Sequence, residues 1–161
     1  YDKFIWYRDL NKFLSHIEKI YSCRVIIIPH PKVKGLTNPY YDKKYHVNHD
    51  PNAVYKLIPR SEVVISINAS TAIGIAAACR KRILCIYNDQ IKKLNNSLFE
   101  RSKFIANKIN ASFINMNYYD DDELFKPISN KKYQDYIYNY ITSKKILDKK
   151  NYEIFNSLLR K

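Results

Sequence analysis

Apolar positions fall into two alternating rhythms along the chain. Leu10, Phe13, Leu14, Ile17, Ile20 and Tyr21 recur at the three- and four-residue spacing of one helix face, so the first element reads as an amphipathic helix. Residues 23–28 come next as a nearly continuous, β-branched apolar run, the pattern of a strand buried on both faces of a parallel sheet. A polar stretch with Pro31, Gly35 and Pro39 reads as a long loop. After Asp50-Pro51, residues 52–59 read as a short helix. Residues 63–67 are a second buried strand, 70–80 a helix of small residues able to lie close on a sheet, and 83–87 a third strand. A helix over 98–109 and a short strand over 112–115 complete the alternation. Beyond the acidic run 120–123 the pattern is helical, over 133–142 and 152–159, with a lysine-rich hinge at 144–150.

Strands separated by helices imply βαβ units with right-handed crossovers. The expected fold is therefore α/β: a Rossmann-like parallel sheet with helices on both faces and a helical C-terminal tail. At 161 residues, one domain over 1–161 is expected, with 130–161 as the tail. Tyr1 rather than Met opens the sequence, which reads as a piece of a longer protein.

Ligands of open α/β sheets bind at the carboxyl ends of the strands. Pro29, His30, Pro31 and Lys32 come after the first strand, Asn68, Ser70 and Thr71 after the second, and Asn88, Asp89 and Gln90 after the third. All three sets are expected to line one edge. Asn68 or Ser70 would cap the helix that starts there, and its first N–H groups, with the helix dipole, would hold a phosphate without a glycine-rich loop. Simple capping by the hydroxyls, and a structural role for His30, are the plainer alternatives.

Composition narrows the choices. A hydrophobic fraction of 46% with 27% charged residues describes an ordinary folded protein. The longest apolar run, 72–79, is far short of the ~20 residues of a membrane helix, and no signal-peptide pattern opens the chain. A cytoplasmic location is expected. Lysine and arginine total 28 against 15 acids, a balance of +13 that points to anionic partners or surfaces, although a composition rich in Lys, Asn, Ile and Tyr also arises from an AT-rich genome. Cys23, Cys79 and Cys85 form no CxxC pair and read as reduced core residues. With only Gly35 and Gly74 there is no GxGxxG and no P-loop. His46 and His49 lack companions for a metal site, and none is expected.

Several of these stretches together resemble a known family. A strand ending Ile26-Ile27-Ile28-Pro29-His30-Pro31, a strand leading to Ser70-Thr71, and Ile83-Leu84-Cys85-Ile86-Tyr87 are similar to the C-terminal half of bacterial surface-carbohydrate biosynthesis proteins. These are glycosyltransferases of lipopolysaccharide or capsule assembly. The stretch from Ser61-Glu62-Val63 to Leu84 is especially similar, and segment 133–142 resembles the tyrosine-rich helical tail with which the family ends. The His-Pro and Ser-Ser/Thr pair of motifs is also shared, more distantly, with bacterial sialyltransferases and with polyol-phosphate transferases of teichoic-acid synthesis.

The resemblance implies one half of a GT-B fold, binding a nucleotide-sugar donor, with CMP-linked donors among the candidates. It implies that His30 contacts the donor phosphate and aids its departure, and that Ser70, Thr71 and Asn68 bind phosphate. Pro31, Lys32, Asn88 and Asp89 are the other strand-end candidates. The acceptor would be a glycan or a lipid-linked sugar, bound with an N-terminal acceptor domain outside this chain. No Asp-Asp-Gly or Glu-Asp-Gly occurs, so the general base is expected in that domain. The basic, His-containing loop 43–51 has no counterpart in the family pattern. The charge balance fits peripheral contact with the anionic inner face of the membrane. A nucleotide-sugar epimerase-like enzyme and a basic module for nucleic acid or anionic surfaces are the alternatives; the glycosyltransferase reading involves no nucleic acid.

Overall fold

The computed structural model describes residues 2–30, 38–67, 70–142, 149–150 and 153. Helix α1 (Lys3–Tyr21) starts at Asp2, whose Oδ1 accepts from the Phe4 and Ile5 N–H groups at 2.8 and 3.4 Å. It ends at Ser22 in the left-handed region (φ 48°), and Trp6, Leu10, Phe13, Leu14 and Ile17 form its buried stripe. Strands β1 (Ile26–Ile27) and β2 (His46–Val47) pair in parallel, Ile26 with His46 and Ile27 with Val47. Helix α2 (Ala53–Leu57) runs into a 3-10 turn, Ile58–Arg60. Then come β3 (Val63–Ser66), α3 (Thr71–Ala78), β4 (Arg82–Tyr87), α4 (Asp89–Leu94), α5 (Asn96–Ile109) and β5 (Ser112–Asn115). A 3-10 turn at Asp121–Glu123 precedes α6 (Asn130–Tyr136), which continues as one π-type turn, Ile137–Ile141.

Strands β3, β4 and β5 form a parallel sheet in that order, with Ile65 opposite Leu84 and Leu84 opposite Ser112. Alternation along central β4 splits the core into two layers. Leu84 and Ile86, with Ile114, face the apolar stripe of α1. Ile83 and Cys85 face Ile73, Ala76 and Ala77 of α3, Ala106 and Ile109 of α5, and Tyr133 and Tyr136 of α6. Helices therefore cover both faces of a parallel sheet, the α/β arrangement expected from the alternating pattern.

Small residues on α3 serve that layer. A Cβ on Gly74 would sit 2.9 Å from Ile141 Cδ1, so glycine admits the turn after α6 against α3. The start of the expected tail is thus part of the core. Tyr133 is 4% exposed and its hydroxyl donates to the Lys81 carbonyl at 2.8 Å. Burial pushes its phenol up to about 12, so it stays protonated. The expected helix over 152–159, and most of the hinge at 144–150, lie outside the described residues.

Two expectations are corrected. The apolar run 23–28 is not a strand buried in the main sheet. Only Ile26 and Ile27 are extended, Ile26 is 40% exposed, and their partner is β2, from the basic loop read as unstructured. Glu18 anchors this second, two-stranded sheet to α1. Its Oε1 accepts from the Val25 N–H at 2.9 Å, and its Oε2 pairs with Lys44 at 2.9 Å. Burial pushes this carboxyl up, but the Val25 amide and the Lys44 ammonium outweigh it and hold it below its ordinary value. The second correction concerns cysteine. All three are unpaired, but only Cys85 is buried, while Cys23 is exposed.

The layering sets distinct costs for two similar truncations. Leu84→Ala, at a fully buried position of β4, is expected to lower unfolding free energy by about 2–5 kcal/mol. Ile26→Ala, on half-exposed β1, is expected to cost under about 1 kcal/mol. Urea unfolding of both variants checks this; equal losses would mean that Ile26 is packed as closely as Leu84.

Candidate functional site

The carboxyl ends of β3, β4 and β5 form one edge of the main sheet, where each strand hands over to a helix or turn. After β3, Ser70 is the N-cap of α3, with extended backbone (φ −110°, ψ 162°). Its carbonyl accepts from the Ile73 N–H at 3.1 Å, but its hydroxyl makes no capping hydrogen bond. Thr71, the first helical residue, is exposed. Elsewhere the N-caps of α1, α4, α5 and α6 (Asp2, Asn88, Asn95 and Ser129) turn their side chains onto helix N–H groups, while Asn52 at the start of α2, like Ser70, makes no such bond. The start of α3 thus combines the positive end of the dipole with a Ser70 hydroxyl that makes no capping hydrogen bond and an exposed Thr71.

After β4, Asn88 is 1% exposed and its Oδ1 accepts from the Ile91 N–H at 3.2 Å. It is the cap of α4, a helix the sequence pattern did not suggest. Asp89 is exposed, and its Oδ1 accepts from Asn115 Nδ2 at 3.0 Å, tying the ends of β4 and β5 together. Asn68, Pro31 and Lys32 lie outside the described residues. His30 is exposed and comes after β1. Because β1 pairs with β2 and not with β3, the three expected sets do not line one sheet edge. Ser70, Thr71, Asn88 and Asp89 share the edge of the three-stranded sheet, and β5 supplies its third strand end.

Beyond β5 the edge carries residues that pattern reading missed. The Asn115 side chain accepts from the Asn117 N–H at 3.1 Å, and Asn117 Nδ2 donates to Asp9 Oδ2 at 3.0 Å. Asp9, on α1, is only 5% exposed. Its Oδ1 accepts from Arg8 Nε at 3.1 Å and Arg8 Nη2 at 2.9 Å. A continuous polar chain therefore runs from Asp89 through Asn115, Asn117 and Asp9 to Arg8. The N-terminus of α1 is pinned to the same edge, where the Asp2 N–H donates to Gln90 Oε1 at 2.9 Å.

This chain borders a groove of about 430 Å³ between α1 and the 116–119 turn. Arg8, Lys12 and His16 stand one helical turn apart along one wall; Asn117, Tyr118 and Tyr119 form the other. His16 Nε2 donates to Asp121 Oδ1 at 2.7 Å. Tyr119 packs edge-on against Phe13, and burial first, then Asp121, push its phenol up, so it remains a neutral hydrogen-bond donor. The sequence held one signal for this site: Asp9 is a charge on the buried stripe of α1, between Trp6 and Phe13.

Among the described residues, no three His, Cys, Asp or Glu side chains gather as a metal site, and no helix is long and apolar enough to cross a membrane. Compared with protein-family models, curated proteins and solved structures, the chain matches none.

The buried Asp9 carboxylate relies on its partners. Arg8→Ala is expected to destabilise the fold by about 1–3 kcal/mol at neutral pH, because the carboxylate loses two charge-assisted hydrogen bonds. Adding Asp9→Asn should recover much of that loss, since a neutral amide tolerates burial better. A double-mutant cycle by denaturant unfolding measures the coupling; strictly additive losses would show that Arg8 does not hold Asp9.

Proposed function

We propose that this chain is the nucleotide-sugar donor-binding domain of a glycosyltransferase acting in bacterial surface-polysaccharide assembly. The observation that supports this reading most is the start of α3: a Ser70 hydroxyl that caps nothing and an exposed Thr71, on a helix N-terminus at the carboxyl edge of a parallel sheet. Edges of this kind take nucleotide ligands in open α/β folds. The His-Pro and Ser-Thr motifs, in that order, add the resemblance to the surface-carbohydrate family.

The chemistry is set by where charge develops. As the sugar departs, its leaving phosphate gains negative charge. Helix N–H groups and hydroxyls fixed against that phosphate stabilise the transition state more than the ground state. In this reading His30 donates a hydrogen bond or proton to the leaving oxygen. The general base and the acceptor sit in a domain outside this chain. The net charge of +13 would hold the protein against an anionic cytoplasmic leaflet, where lipid-linked acceptors are presented.

A panel of CMP, CDP, UDP and GDP and their sugar forms, read by isothermal titration against wild type, His30→Ala and Ser70→Ala/Thr71→Ala, tests the reading. One nucleotide family is expected to bind more tightly than the rest. The double variant is expected to weaken it at least tenfold, about 1.4 kcal/mol. Transfer by the full-length enzyme that survives both variants unchanged would sink the assignment. Binding of duplex DNA alone, steeply dependent on salt, would replace it with the basic-module alternative.

A further inference from the structure

The groove between α1 and the 116–119 turn has features that packing alone does not call for. Asp9 is a carboxylate in a nearly closed position, and burying a charge is costly even when it is paired. An apolar residue there would join the stripe of Trp6, Leu10 and Phe13. Asp9 ties the 116–119 turn to α1 by accepting from Asn117 Nδ2 on Oδ2, and with Oδ1 it also fixes Arg8. Two N–H groups of the guanidinium are held on Asp9 Oδ1, while the side chain as a whole stays 56% exposed at the groove wall. A long cation on a helix surface ordinarily samples many rotamers; this one is held in one orientation before any ligand arrives.

One turn further along, Lys12 is exposed and makes no hydrogen bond or ion pair among the described residues. The two cations rise about 6 Å apart along the helix axis, so their flexible ends can reach one group from two sides. Opposite them, the Tyr118 ring is 76% exposed and stacks on no aromatic neighbour among the described residues. Asp9 cancels one of the two cations and His16 is matched by Asp121, so the groove suits a single anionic group rather than a long polyanion.

We infer that this groove binds a phosphate ester carried on a ring, the phosphate held by Arg8 and Lys12 and the ring resting on Tyr118. A tetrahedral group offers oxygens in diverging directions, as two cations on successive turns require; a planar carboxylate presents both oxygens to one fork. Asn117 and Tyr119, which both carry hydrogen-bond donors, stand in the same lining, and Asn117 Nδ2 gives one of its two N–H groups to Asp9. This groove is separate from the start of α3, where the glycosyltransferase reading puts the donor phosphate.

The test is isothermal titration of the chain with inorganic phosphate, glucose 6-phosphate, adenosine monophosphate and glucose. The two ring esters are expected to bind, more tightly than inorganic phosphate, and glucose not at all; the tighter ester tells sugar phosphate from nucleotide. Lys12→Glu is expected to weaken both esters at least tenfold. Tyr118→Ala should weaken the esters and leave inorganic phosphate unchanged. Both positions are exposed, and an unchanged circular dichroism spectrum separates lost binding from lost fold. Ser70→Ala/Thr71→Ala should leave this binding intact, which distinguishes it from the site at α3. No binding of either ester by wild type, or ester binding untouched by Lys12→Glu, would overturn the inference, as would ester binding lost only in the Ser70/Thr71 variant.

Discussion

Strand β4 is the constraint on which the rest of the molecule depends. Ile83, Leu84, Cys85 and Ile86 are each at most 3% exposed, so four successive side chains are buried on alternating faces. A strand in that position needs a hydrogen-bonded neighbour on either edge and a covered layer on either face. Strands β3 and β5 supply the first; α1 on one side, and α3, α5 and α6 on the other, supply the second. Parallel pairing results because each return to the sheet is made through a helix. It also gathers the carboxyl ends of three strands at one edge. The candidate site residues follow from that geometry: wherever a strand hands over to a helix, a cap, a turn or a polar link must appear there.

How the handovers are closed distinguishes them. At β4 the Asn88 side chain caps α4 and is sealed from solvent. At β5 the chain turns through Asn115 and Asn117 and binds itself to α1 through Asp9. At β3 the Ser70 hydroxyl makes no capping hydrogen bond, and Thr71 at the start of α3 is exposed. Closed and open ends therefore stand side by side on one edge, and the open one falls where the resemblance to surface-carbohydrate enzymes places phosphate. The long polar chain from Asp89 to Arg8 ties the neighbouring part of the edge to α1.

Periodicity made most of this architecture legible. The helix over 98–109 and the strand over 112–115 are found within two residues of where the pattern puts them, because each has a long stripe or a clean apolar run with polar ends. The run 23–28 misled because β-branched apolar residues look alike whether a strand lies in a core or at a half-exposed margin; its pairing partner decides, and His46–Val47 is too short to leave a period. Helix α4 was hidden for a related reason, since six residues starting Asp89-Gln90 carry one buried position, Ile91. The helix start at Ser70 and Thr71 was legible because cap residues have a local signature. Arg8, Lys12 and Asn117 were not, because a groove wall made by two segments a hundred residues apart leaves no mark in either.

The central claim is that ligands meet this protein at the carboxyl edge of β3, β4 and β5. Amide chemical-shift mapping of the labelled chain, titrated with the nucleotide that binds tightest, tests it most directly. The largest shifts are expected at Ser70, Thr71 and Ala72, with smaller ones at Asp89 and around the 116–119 turn. Shifts confined to the opposite end of the sheet, at Arg80, Lys81 and Asn110, or to the exposed faces of α5 and α6, would contradict it.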